Sequence, residues 1–127
     1  MTPEGKVKKA LRKTLTAHGA WHYMPVQNGM GCVGIPDIIA CVPVTITEDM
    51  VGKRVGLFLG LEAKAPGFST NTTPNQANVL HQIYRSDGTA IVADNTETLE
   101  TALKMMSMGV STLLVPKKRD KSCTCEK

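Results

Sequence analysis

Three ionisable residues sit in stretches that otherwise read as β-strand: Asp37, Glu62 and Lys64. Asp is disfavoured in strands, yet Asp37 opens the β-branched run 35–46 (IPDIIACVPVTI), directly after Pro36. Glu62 and Lys64 lie near the end of the apolar run 55–65 (VGLFLGLEAKA), and their i, i+2 spacing projects both to one face. The polar segment 48–54 between the runs reads as a turn. The two runs are therefore expected to pair as an antiparallel hairpin, which would carry Asp37 towards Glu62. Two close carboxylates repel each other unless a cation joins them, and ligation by oxygen alone suits Mg²⁺ or Mn²⁺. A neighbouring Lys holds an attacking water or offsets the charge that builds on a phosphoryl oxygen. The chemistry these residue types suit is metal-assisted hydrolysis of a phosphodiester.

The elements that must position them follow from capping and periodicity. Thr2, Pro3 and Glu4 read as a helix start: a capping hydroxyl, a proline in the first turn and an acid beside the helix dipole. Val7, Leu11 and Leu15 continue it as an apolar stripe, and Gly19 ends it. At 100° per residue Glu4 falls within about 60° of that stripe. Segment 20–26 has strand-like composition, and the glycine-rich segment 27–34 must turn. Thr73, Pro74 and Gln76 mark a second helix start, with Gln76 at the reaching-back position of a capping box. Val79, Leu80, Ile83 and Tyr84 make that helix amphipathic, and Gly88 closes it. TAIVA (89–93) is a short strand, Thr96 begins a third helix that ends at Gly109, and segment 110–116 is a last strand or a packed tail. The order αβββαβα predicts a mixed α/β fold.

With these pieces in place, the chain resembles the virus-type replication-repair nuclease (VRR-NUC) family of the PD-(D/E)xK phosphodiesterase superfamily. The resemblance runs from about residue 2 to about residue 100. It rests on GIPD (34–37), on the strand ending in Glu62, Ala63, Lys64, Ala65 and Pro66, and on Gln76 in the following helix. In detail the chain is most similar to the small stand-alone phage members, through TPEGKVKKAL and MPVQNGMG. The resemblance implies a restriction-endonuclease-like αβββαβ core, a mixed sheet flanked by helices, over residues 1–116. It implies Asp37, Glu62 and the backbone carbonyl of Ala63 as ligands of Mg²⁺ or Mn²⁺, and Lys64 as the catalytic lysine. Gln76 would orient water or substrate, Glu4 would approach a metal, and Gln27 would lie near the site. The implied activity is that of a structure-selective endodeoxyribonuclease, like a Holliday-junction resolvase, acting as a homodimer in a bacterial or phage-infected cytoplasm.

Plainer readings stand beside these. Glu62 and Lys64 also suit a solvated cross-strand face. Asp37 after Pro36 suits a turn. The capping box accounts for Gln76, and the helix dipole for Glu4. A nucleic-acid-binding module that keeps the fold without cutting is the rival reading. Lys and Arg number 15 and Asp and Glu 11, a net charge of +4. Its distribution says more: residues 1–20 carry five basic groups and one acid, residues 117–127 five and two, and residues 21–116 five and eight. Lys8, Lys9, Arg12 and Lys13, with the basic tail 117–127, are therefore the candidates for holding a nucleic-acid backbone, and the acidic centre holds the carboxylates. That division requires the basic face of the first helix to lie on the side of the carboxylates. Cys32, Cys41, Cys123 and Cys125 lack both a secreted disulfide framework and zinc-finger spacing, which points to a reducing compartment. No apolar run reaches the ~18 residues of a membrane span.

Overall fold

The computed structural model describes residues 1–26, 34 and 36–118. Gln27, Cys32, Cys123, Cys125 and the tail from residue 119 onward lie outside the described residues. Helix α1 spans Pro3–Ala17, and the Thr2 hydroxyl accepts the Gly5 N–H at 2.9 Å. Gly19, at φ 76°, turns the chain out of it. Strands β1 (Trp21–Tyr23) and β2 (Ile39–Cys41) follow, then a single 3₁₀ turn at Glu48–Met50 and β3 (Leu59–Ala63). Helix α2 (Pro74–Arg85), β4 (Thr89–Ala93), α3 (Thr96–Ser107) and β5 (Leu113–Leu114) complete the chain. The order of elements is the expected one, with segment 110–116 supplying a last short strand.

The strand pairing differs from expectation. β2 does not form a hairpin with β3. It pairs antiparallel with β1, Trp21 opposite Cys41 and Tyr23 opposite Ile39. β3 pairs in parallel with β4, Leu59 opposite Thr89 through Ala63 opposite Ala93, and β4 pairs in parallel with β5. The reason is burial. Strand β4 is buried along its whole length, and the α2 crossover delivers it alongside β3 with helices on both faces. Ile91 packs with Ala93 and Ala102 towards α3, joined by Leu59 and Leu99. Val92 and Ala90 pack with Leu80 and Ile83 of α2, and Trp21, Phe58, Leu113 and Val115 surround them. The β3 run is also shorter than its apolar composition suggests, and Val55, Leu57 and Leu61 stand exposed.

Gly60 faces α2, where an added Cβ would lie 2.8 Å from Ile83 Cδ1. The same face of β3 therefore continues to Glu62, and Lys64 follows two residues on. At the far end of α2 it is Asp87, at φ 69°, that takes the left-handed position rather than Gly88. Gly88 is required for another reason: a Cβ there would meet Ile83 Cγ2 at 2.9 Å and Cys41 Sγ at 3.0 Å. Ser86 stitches the two strand groups together. Its hydroxyl donates to the Gly19 carbonyl at 3.1 Å, and its own carbonyl accepts the Cys41 thiol at 3.4 Å.

Candidate active site

The parallel sheet and α2 bring Glu62, Lys64 and Gln76 together. β3 ends at Ala63, and the Lys64 N–H continues the ladder by donating to the Ala93 carbonyl at 3.0 Å, which fixes the backbone from which the side chain springs. Thr73 caps α2, accepting the Gln76 N–H at 3.1 Å, and Gln76 Oε1 accepts the Thr73 N–H at 3.0 Å. The expected capping box is present in both halves. It also orients the amide for a second task. Gln76 Oε1 accepts from Lys64 Nζ at 3.0 Å, and Gln76 Nε2 donates to Glu62 Oε2 at 3.0 Å. Lys64 Nζ itself lies 3.9 Å from Glu62 Oε2. With side-chain exposures of 17% for Lys64 and 32% for Glu62, the pair is more than a fully solvated strand face.

A second group gathers on α1 and the approach to β2. Lys8 Nζ lies 3.0 Å from Glu4 Oε2 and 4.0 Å from Asp37 Oδ1. The hydrogen bond to Glu4, with the charges of Asp37 and Glu4, raises the Lys8 pKa above its ordinary value. Lys8 thus brings the basic helix to Asp37, one of the two expected carboxylates; no ion pair among the described residues joins that helix to Glu62. Lys9 and Lys13 are exposed on the same helix, and an Arg12 guanidinium nitrogen contacts Met24 Sδ at 3.7 Å. Among the described residues no hydrogen bond or ion pair joins the Asp37 group to the Glu62 group.

Two contacts escaped the sequence reading, in which Lys8 stood only as a candidate for holding a nucleic-acid backbone. Lys8 was legible in part, because Glu4 and Lys8 stand at the favourable i, i+4 spacing; its contact with Asp37 was not. Asp94, at the end of β4, accepts the Gly67 N–H at 2.9 Å and so pins the turn that follows Lys64. The only local signal was an Asp-Asn pair between strand and helix.

Carboxylate oxygens are the donors that a hard divalent cation prefers. Among the described residues both polar contacts of the Glu62 carboxylate fall on Oε2, and an ammonium lies 4.0 Å from Asp37 Oδ1. A cation already stands against Glu4 and Asp37 in the form of Lys8. Among the described residues no three His, Cys, Asp or Glu side chains converge, while the ligand set implied by the resemblance holds two carboxylates and a carbonyl. No helix among the described residues is long and apolar enough to cross a membrane. Comparison with known protein families, with curated proteins and with solved structures returns no match.

Proposed function

We propose that this chain is a Mg²⁺- or Mn²⁺-dependent nuclease that hydrolyses DNA phosphodiester bonds, built on a restriction-endonuclease-like core. The observation that carries the reading is the Glu62–Gln76–Lys64 network at the end of β3. A capping amide that also spans a carboxylate and an ammonium holds both charged groups in place, an arrangement suited to catalysis. Asp37, Glu62 and the Ala63 carbonyl would hold the cation, with Glu4 approaching it from α1, and the cation would supply Lewis acidity to the scissile phosphate. Lys64 donates from its ammonium to a phosphate oxygen or to the attacking water, and Gln76 keeps that ammonium pointed and separate from Glu62. Lys9, Arg12 and Lys13 on α1, with Lys117 and Lys118, attract the backbone. A second copy of the chain would supply a second site for a branched substrate, and the preference for junctions rests on the resemblance alone.

The test is a cleavage panel of single-stranded, duplex, flapped and four-way DNA with Mg²⁺ and Mn²⁺ side by side. Cleavage that EDTA stops, and that Asp37→Ala and Lys64→Ala abolish in folded protein, is expected. Salt-sensitive binding with no cleavage on any substrate would replace this reading with the non-cleaving module.

A further inference from the structure

We propose that Lys8 is an internal, displaceable counterion for the divalent cation. Its ammonium holds Glu4 and Asp37 together before the cation arrives and yields their oxygens to it afterwards. The inference rests on the nuclease reading above, which supplies the cation.

Three observations carry it. The ammonium bridges carboxylates from two separate elements, α1 and the lead into β2, at 3.0 and 4.0 Å. An ordinary i, i+4 helix pair would satisfy Lys8 through Glu4 alone; the reach to Asp37 does not follow from helix geometry. The lysine is also the more sheltered partner, with 28% side-chain exposure against 73% for Glu4 and 60% for Asp37. The carboxylates therefore lie open to an incoming ion while the ammonium is tucked between them. Finally, 4.0 Å is too long for a hydrogen bond, so Lys8 attracts Asp37 by charge without being bound to it.

An ammonium and a divalent cation cannot share the same lone pairs. A hard divalent ion has the higher charge density and prefers carboxylate oxygen. Lys8 has a flexible four-carbon stem and retreats at little cost. Until then it relieves the repulsion that would otherwise drive Glu4 and Asp37 apart, so the two carboxylates stay near each other without metal. Lys8 is a positioning residue in this account. Once displaced, it stands at the rim of the same carboxylates as a free positive charge for the phosphate backbone.

The test measures Mn²⁺ binding by calorimetry to the full-length chain, without DNA, for the wild type, Lys8→Gln, Lys9→Gln and Asp37→Ala. Lys9→Gln removes the same charge from the neighbouring, exposed position and corrects for the general field. Lys8→Gln is expected to bind Mn²⁺ about two- to fivefold more tightly than Lys9→Gln, the range that one partly exposed ion pair commands. Affinity no greater than that of Lys9→Gln, or weaker than wild type, overturns the counterion role while leaving the nuclease reading in place. Wild-type protein that binds no Mn²⁺, or binding that Asp37→Ala leaves untouched, overturns both. Thermal melts by circular dichroism confirm that each variant is folded, and since α1 buries none of its residues that is the expected result.

Discussion

Gln76 belongs to two structures at once, and the two can be separated. As the third residue of α2 it completes the capping box with Thr73, and as a side chain it spans Lys64 and Glu62. Thr73→Ala removes the cap and leaves the amide free to keep its two charged partners. Losing a threonine cap costs about 1 kcal/mol, which in a chain of this size lowers Tm by about 3–5 °C. Gln76→Ala removes the return bond of the cap and both bonds to charged groups. Those bonds are partly exposed, and alanine favours the helix, so the expected loss is only about 1–2 kcal/mol. The two variants should therefore melt within a few degrees of each other. Their activities should diverge: Gln76→Ala is expected to lose about 10- to 100-fold in kcat, the usual effect of removing a group that orients active-site side chains, and Thr73→Ala to lose little. Gln76→Glu sharpens the comparison. Glutamate serves equally at the third position of a capping box, so the helix should survive. A carboxylate at 3.0 Å from Glu62 Oε2, however, adds repulsion of about 1.4 kcal/mol even at the dielectric constant of water. The assay is steady-state cleavage of the best substrate from the DNA panel at saturating Mg²⁺, with melts in parallel. Equal loss of rate in Thr73→Ala and Gln76→Ala, or full rate in Gln76→Ala, would show that Gln76 only caps a helix.

Further outcomes follow from the packing and from burial. Asp94→Ala frees the turn after Lys64 and should lower kcat without changing the slope of DNA affinity against salt; an altered salt slope would place Asp94 on the substrate instead. Gly88→Ala should cost about 1–3 kcal/mol in urea unfolding, because its new Cβ meets Cys41 Sγ and the Ile83 carbonyl as well as a side chain, and a neutral result would mean that this corner is looser than its distances. Burial first, and the charge of Asp87 second, raises the pKa of the Cys41 thiol above its ordinary 9.0. The folded thiol then holds its proton where the unfolded one has lost it. The stability it contributes is full below pH 9.0 and is lost as pH rises through the higher folded value. Alkylation of Cys41, followed by peptide mass mapping, should accordingly be slow at neutral pH in folded protein; rapid labelling there would contradict its burial.

What the sequence disclosed depended on how local the cause was. The starts of α1 and α2 were legible because Thr2 and Thr73 act on backbone groups within three residues. The start of α3 at Thr96 was legible too, although its cap, Asn95, which accepts the Thr98 N–H, was not singled out. Asp87 rather than Gly88 turns the chain after α2, since the glycine is required by Cys41 and Ile83, which local sequence does not place there. Strand pairing was the least legible. Composition marked β2 and β3 as strands but did not say that β1 would take β2 and β4 would take β3, because that choice is made by the burial of both faces of β4. The i, i+2 spacing put Glu62 and Lys64 on one face and the capping box put Gln76 at the start of α2, both by local rules; the grouping of the three came from the resemblance alone. The hairpin invoked to carry Asp37 to Glu62 is absent from the described residues; Asp37 meets Lys8 of α1 instead, and no contact among those residues joins that group to Glu62.

The seam at Ser86 gives this chain an uneven resistance to heat. On one side lie α1, β1 and β2, with Glu4, Lys8 and Asp37; on the other lies the parallel sheet with Glu62, Lys64 and Gln76. Helix α1 buries none of its residues, and Val7 and Leu11 are more than half exposed, whereas β4 is buried from end to end. Segments with so few buried contacts open well below the global transition. Amide exchange should therefore be fast along α1 and slow along β4, and warming should undo the lobe that holds Asp37 before the sheet that holds Lys64 gives way. Activity would then fade over a temperature range in which most of the secondary structure is still intact.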